Sequence, residues 1–439
     1  MRFGKFDRTA LAAIMIFLTT ATIFLISRVH QVADSSYSML LSESLLHHGS
    51  FTLDAYEIPR LSPQQQAGYL SNGPIYQIQI VGDHLYYYFP AGTSVLSLPY
   101  VAVMNLFGIS AANPDGTYNR HNEVRIEASL AALLMAALSA VIFLTARLLL
   151  PFWWSVVIAY ASAFGTQIWS TSSRALWSDT WGIFLLGITI WMLVAVECKR
   201  FQLRPVLLAT VCAWMYFARP TFSIPILAIT VYVFMYHRQE RLKYLFTGLA
   251  WLALFVGFSE YHYGHSLPNY YSANRLSFGT FGVALAGNLI SPSRGLLVFV
   301  PVLIFVAYLL IRYWRETTLP RLLFISITVI AIHIITISGF TPWWGGHCFG
   351  PRYSAGLVPF FALLGIIAVK SKLTRSSNED IRGWSVEWTI GLLLLFTSVL
   401  INAVGSNSLK PQAWNLMPTN IDEHPERVWD WKHPQFLPR

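Results

Sequence analysis

Apolar residues in this chain run in long blocks broken by short polar joints, without the alternation of a half-buried strand. The first block, 10–27, is followed at once by Arg28-Val-His-Gln-Val-Ala-Asp34-Ser-Ser-Tyr37. Further blocks occupy 124–149, 152–170, 180–197, 205–218, 221–236, 243–260, 295–311, 321–340, 354–370 and 386–404. Most have the length of a helix that crosses a bilayer, so the pattern predicts an all-α polytopic membrane protein of about eleven spans. Blocks 205–218 and 221–236 are short, and a re-entrant pair is the alternative there. Within the long joint 28–123, Ser36–Gly49 groups Leu40, Leu41, Leu45 and Leu46 at helical spacing, with Ser42, Glu43, His47 and His48 between them. That reads as an amphipathic helix on the membrane surface, ended by Gly49. Segment 89–108 is apolar enough to span, but counting it as a span inverts every later loop. It is read as an interfacial or re-entrant helix.

Charge then orients the chain. Basic clusters fall at Arg2, Lys5 and Arg8; Lys199, Arg200 and Arg204; Arg238, Arg241 and Lys243; Arg312, Arg315 and Arg321; and Lys370, Lys372, Arg375 and Arg382. These alternate joints match the positive-inside rule with a cytoplasmic N-terminus. The first block ends in Arg28-Val-His30, with no small-x-small cleavage signature, and reads as a retained anchor. The domain reading is a membrane domain over 1–404, including the first outer loop 28–123, and an outer tail over 405–439. That tail, with Trp414, Trp429 and Trp431 among several prolines, is expected to pack over the outer loops.

Composition agrees with the pattern. Hydrophobic residues make up 55% and charged residues only 12%, against about 25% charged in a soluble globular chain. The net charge of +9 is accounted for by cytoplasmic loops and is no sign of a nucleic-acid partner. Cys198, Cys212 and Cys348 have neither metal-site nor disulfide-framework spacing.

The chemistry-bearing residues collect on the face opposite the basic clusters. The first outer loop carries Asp34, Glu43, Asp54 and Tyr86-Tyr-Tyr88-Phe-Pro90-Ala-Gly. The second carries Ser173-Arg174-Ala-Leu-Trp177-Ser-Asp179, and Arg219-Pro220 ends a later block. Next come Ser291-Pro-Ser-Arg294-Gly and Trp343-Trp344-Gly-Gly-His347-Cys-Phe-Gly-Pro351-Arg352-Tyr. Arginines on this face run against the orientation rule, so Arg174, Arg219, Arg294 and Arg352 each need a reason. His333, inside a block, reads as a packing histidine.

An N-terminal span followed by Asp34, an amphipathic helix and a Tyr-rich Pro-Gly segment resembles the multi-span GT-C glycosyltransferases. Leu289-Ile-Ser-Pro-Ser-Arg-Gly-Leu-Leu-Val-Phe-Val-Pro301 and Trp343–Tyr353 resemble stretches of bacterial members, the dolichyl-phosphate-mannose protein mannosyltransferase-like and aminoarabinose transferase-like enzymes. The resemblance covers nearly the whole chain in order and topology. It implies transfer of a sugar from a polyprenyl-phosphate carrier to a lipid, glycan or protein acceptor on the outer face of the cytoplasmic membrane, with inversion. Such chemistry needs a base for the acceptor, for which Asp34 is chosen, with Asp179 and Glu43 as the other carboxylates. It needs cations for the departing phosphate: Arg352, Arg294 and Arg219, with His347 beside them. Tyr88, Trp177, Trp343 and Trp344 are the aromatic candidates for the substrate. Many members carry two adjacent acidic residues in the first loop, where this chain has Asp34-Ser35-Ser36. A Mg²⁺ or Mn²⁺ ion held by Asp34 and Asp179 is therefore left open. A lipid or sugar transporter or flippase would also have many spans, but the chain shows no repeat of one half in the other. A polyprenyl-linked oligosaccharide polymerase or ligase is the third reading, and the short late outer loop 341–353 speaks against it.

Overall fold

The computed structural model describes residues 8–58, 73–272, 275–378 and 386–437; Arg2, Lys5 and Arg382 of the basic clusters lie outside them. Every apolar block lies on helix. Seven helices among the described residues are long and apolar enough to cross a membrane. Four of the other expected spans are shorter or broken: 152–170 gives α5 (Phe152–Phe164) and a π turn, and 205–218 and 221–236 give α7 (Pro205–Ala218) and α8 (Ser223–Tyr236). The block 295–311 is split by Pro301 into α12 (Leu296–Phe299) and α13 (Val302–Arg312).

The longest helix, α4 (Arg120–Arg147), forms the middle of the bundle, packed by α1 (Arg8–Ile26), α5 and α6 (Ser178–Glu197). Helix α7 lies between α6 and α9 (Arg241–Tyr263), while α14 (Pro320–Ser338), α15 (Val358–Asn378) and α16 (Val386–Asn407) close the other side. The joint 261–294, expected as loop, contains α10 (Asn269–Ser272) and α11 (Phe281–Ile290). Helix α17 (Lys410–Trp414) opens the tail.

The described parts of the long first joint, 28–58 and 73–123, form a layer over one end of the bundle. Helix α2 (Ser38–His48) ends where expected, on Gly49 at φ 64°, a left-handed conformation that glycine adopts without strain. Its first two turns do not lie on a surface. Residues Ser38–Ser44 are all buried, because the polar positions find partners inside: Ser42 donates to the Ser94 carbonyl at 2.9 Å and Glu43 accepts from Asn105 at 2.6 Å. Its cover is α3 (Gly92–Leu106), the segment read as interfacial. Its 15 residues give about 22 Å, short of the ~30 Å hydrocarbon core. Between α2 and α3, β1 (Ile78–Val81) and β2 (His84–Tyr87) pair antiparallel, with Ile78 opposite Tyr87. Val81-Gly82-Asp83-His84 is a two-residue hairpin signal that the apolar blocks concealed.

Arg174 explains itself here. It is fully buried, and its guanidinium donates to the Ser27 carbonyl at 3.0 Å and to the Phe24 carbonyl at the end of α1. A cation on carbonyls at a helix C-terminus satisfies orphan acceptors and the helix dipole together. Arg174→Ala is therefore expected to cost about 2–4 kcal/mol of stability, read as earlier thermal unfolding of the detergent-solubilised protein.

Candidate functional site

Four helix ends meet beneath the first-loop layer: the C-termini of α1 and α7 and the N-termini of α6 and of the 3₁₀ turn Arg352–Leu357 leading into α15. Trp177, Asp179, Arg219 and Arg352 sit on these ends, and Asp34 stands in the turn that leads into α2. The basic joint 199–204 lies at the opposite ends of α6 and α7, and 370–375 toward the opposite end of α15.

Asp34 and Arg352, 318 positions apart, form an ion pair at 2.7 Å between Nη2 and Oδ2. Gly350, at φ 58°, turns the chain before Pro351 and presents Arg352. The guanidinium carbon sits 3.6 Å over the Trp177 ring, a stacked cation–π contact that fixes its plane. Asp34 is held by the hairpin region: the Tyr76 hydroxyl donates to Oδ1 at 3.3 Å, Tyr87 to the Asp34 carbonyl at 2.9 Å, and Gln77 to the Ala33 carbonyl at 3.0 Å. The Asp34 side chain keeps 32% of its surface open while Arg352 keeps 10%, so the carboxylate is the accessible member of the pair and the arginine backs it. Burial works against ionisation of Asp34, yet the Arg352 guanidinium, with smaller help from Arg219 and Tyr76, carries its pKa below the ordinary carboxylate value.

A second pair stands beside the first. Arg219 donates to Ser178 Oγ at 2.8 Å and lies 3.6 Å from Asp179 Oδ1. These two and His333 line one small cavity with Tyr353 and Phe360. His333 is the packing histidine expected: it sits 2.8 Å from the Tyr353 carbonyl through Nε2. Around the two pairs, three buried polar atoms make no hydrogen bond: Arg352 Nε, Trp177 Nε1 and Asp179 Oδ1, the last at ion-pair distance from Arg219. Unmade hydrogen bonds of this kind cost about 1–3 kcal/mol each, and three of them gathered around two ion pairs mark the place where a polar ligand would find partners.

Tyr88 is 5% exposed and lines an aromatic cavity of ≈ 180 Å³ with Phe217, Trp251, Phe255, Tyr263 and Tyr270. This cavity runs between the start of α3, the end of α7 and the middle of α9.

The remaining expected site residues are committed elsewhere. Glu43 is fully buried, its Oε1 accepting from the Ala111 amide at 3.0 Å and its Oε2 from Asn105, which ties α2 to α3. Arg294 is 1% exposed, and its N–H groups go to the carbonyls of Ser293, Trp344 and Gly346 and to Gln435 and Asn415. It fastens the tail to the late loop and keeps no free donor for a phosphate. His347 meets Asn420 at 2.8 Å, and Trp344 donates to Asp422 at 2.8 Å. Trp343 packs with Ala284, Trp414, Ile421 and Val428. The late aromatic motif thus grips the tail.

Tyr76, Tyr87 and Gln77 were missed. A strand alternates its faces, so the tyrosine next to Tyr88 is the one that turns toward Asp34, and only the unread hairpin could have said so.

Among the described residues, no three His, Cys, Asp or Glu side chains gather as an ion site. Asp34 and Asp179 each face an arginine, and this donor set does not suit a divalent cation held by the protein.

No family model and no curated protein matches the chain. Its fold is similar to that of the oligosaccharyltransferase of Archaeoglobus fulgidus tethered to an acceptor peptide with the NVT sequon, at 12% identity and a TM-score of 0.51 over 97% of this chain. A structure of the archaeal oligosaccharyltransferase AglB from Archaeoglobus fulgidus, in complex with an inhibitory peptide and a dolichol-phosphate, matches at 12% identity and a TM-score of 0.47 over 97% of this chain. The chain spans 59% and 60% of the length of those two proteins. With its apolar helices and the layer over one end of the bundle, the chain shares the fold of that Archaeoglobus fulgidus protein.

Proposed function

We propose that this protein is an inverting glycosyltransferase that moves a hexose or pentose from a polyprenyl-phosphate donor to an acceptor on the outer face of the cytoplasmic membrane. The observation that carries the reading is the Asp34–Arg352 pair over Trp177, with Arg352 Nε left unpartnered. Together with the GT-C fold, it supplies a carboxylate and a phosphate-binding cation at one end of a membrane bundle.

In this reading the donor phosphate engages Arg352 through the free Nε edge, with Arg219 beside it, and the acceptor approaches from the Asp34 side. The acceptor oxygen or nitrogen bonds to the anomeric carbon as the bond from that carbon to the phosphate oxygen breaks. The electron pair leaves with the polyprenyl phosphate, whose charge the arginines hold. Asp34 takes the acceptor proton. Donor binding also prepares the base. A phosphate on Arg352 cancels the field that depresses the Asp34 pKa, so its proton affinity rises only when there is a sugar to transfer. The aromatic cavity beside Tyr88 takes the isoprenoid chain next to the phosphate. The peptide tethered to the Archaeoglobus protein makes a peptide one of three acceptor classes to try, with lipid and glycan.

The test is transfer of label from radiolabelled polyprenyl-phosphate sugars by the protein in liposomes, with each acceptor class, with and without chelator. The expected result is a product of inverted configuration, formed at a rate changed less than about twofold by EDTA, since Asp34 and Asp179 are each paired with an arginine. Labelled lipid that only changes leaflet would replace this reading with a transporter.

A further inference from the structure

Helix α4 carries two carboxylates that the reaction scheme does not use. Glu123 and Glu127, one turn apart, share a face of the helix, and both are completely buried. Glu123 accepts the Tyr37 amide at 2.8 Å and the Met39 amide at 2.9 Å, one on each oxygen, and also the Tyr118 hydroxyl. These amides begin α2, three and five positions after Asp34. Tyr37 itself stands at φ 74°, strained for a residue with a side chain, and stacks on Tyr118 at 4.2 Å. The Asp34 turn is thus held through a left-handed residue whose amide is bound by Glu123. Glu127 touches both halves of the site. It accepts from Ser38 Oγ at 3.4 Å and from the Leu176 amide at 3.3 Å, one residue before Trp177.

We infer that Glu123 and Glu127 are positioning residues that set the spacing between Asp34 and the Trp177–Arg352 stack, acting through backbone amides of the two segments that carry them. The inference rests on the proposed transfer reaction for its kinetic part alone. Its chemistry separates the two carboxylates. Glu127→Gln can keep both contacts: the amide oxygen accepts Leu176 N–H, and the amide nitrogen donates to Ser38, whose hydroxyl reverses its role. Glu123→Gln cannot, because Tyr37 and Met39 both offer backbone N–H groups and the amide has one acceptor oxygen to give them.

The experiment compares Glu123→Gln, Glu127→Gln and Glu127→Leu in liposomes, reading kcat, donor KM and amide hydrogen exchange over 31–41 and 173–180. Glu123→Gln and Glu127→Leu are expected to lower kcat by about 10²-fold, the scale of a 1 Å misplacement, while donor KM stays within about threefold. Glu127→Gln stays close to wild type. Exchange rises over 31–41 in Glu123→Gln and over both segments in Glu127→Leu. Wild-type kcat in either damaging variant, a loss confined to KM, or faster exchange over only one segment in Glu127→Leu would overturn the inference. If Glu127→Leu does not fold, Ser38→Ala replaces it: faster exchange over 31–41 supports the bridge, and unchanged exchange removes it. If wild type transfers no sugar from any polyprenyl-phosphate donor, the proposed reaction falls and the exchange data alone decide the positioning role.

Discussion

Asp34→Asn is expected to abolish measurable transfer, a fall of about 10²–10⁴ in kcat, the range a positioned base supplies. The substitution keeps the volume of the side chain and an oxygen for Arg352 or Tyr76, so the fold is retained. What it removes is the charge and the capacity to hold the acceptor proton. Donor KM should stay or fall, because Arg352 without its counter-ion is a better phosphate partner. That split between kcat and KM separates a base from a binding group. Transfer equal to wild type in membranes matched for expression would dismiss Asp34 as base and move attention to Asp179, the other carboxylate beside an arginine in the cleft.

How far this site could be read in advance depended on what each residue bonds to. The helical blocks were legible because the bilayer demands long apolar runs, and each run does lie on helix. Breaks inside them, as at Pro301, change which ends count as spans. Asp34 stood out because the resemblance calls for a base in the first outer loop, and Arg219 and Arg352 because arginine on the outer face runs against the orientation rule. The same argument selected Arg174 and Arg294. Their partners are carbonyls, which carry no mark in a sequence, and both prove to be fastenings of the fold. Glu43 was misread for the reverse reason: its acceptor oxygens are used by an amide and an asparagine that only the crossing of α2 and α3 brings near.

Glu123 and Glu127 were hidden in the opening turns of an apolar block, where two carboxylates barely alter the hydropathy of a 28-residue helix. The tyrosines at Asp34 were hidden by a hairpin of two four-residue strands. Short strands over a membrane bundle leave a weak signal beside spans several times their length. In each case the missing information was the tertiary neighbour, and the residue type was already correct for the task.

Arg352→Gln should cost about 10³-fold or more in kcat/KM, the scale on which an arginine stabilises a departing phosphate, and it should also move the pH profile in a direction fixed by Asp34. In the wild-type protein Arg352 holds the Asp34 pKa below its ordinary value against the effect of burial. The base is therefore already ionised across the neutral range, and the acid limb of kcat/KM lies below the ordinary carboxylate range. Removing the guanidinium leaves burial nearly unopposed. A buried carboxyl without its cation holds its proton more tightly, so the limb moves to higher pH, and the residual activity at pH 5 falls relative to that at pH 8. Arg352→Lys separates the two roles of the residue. A lysine restores a positive charge near Asp34 and should return the acid limb toward its wild-type position. It lacks the Nε–H edge and the flat face that lies 3.6 Å over Trp177, so most of the lost rate should stay lost. An acid limb that does not move in Arg352→Gln would mean that Asp34 is not the titrating base. Full recovery of rate in Arg352→Lys would mean that the site reads charge alone, with no use for the stacked guanidinium.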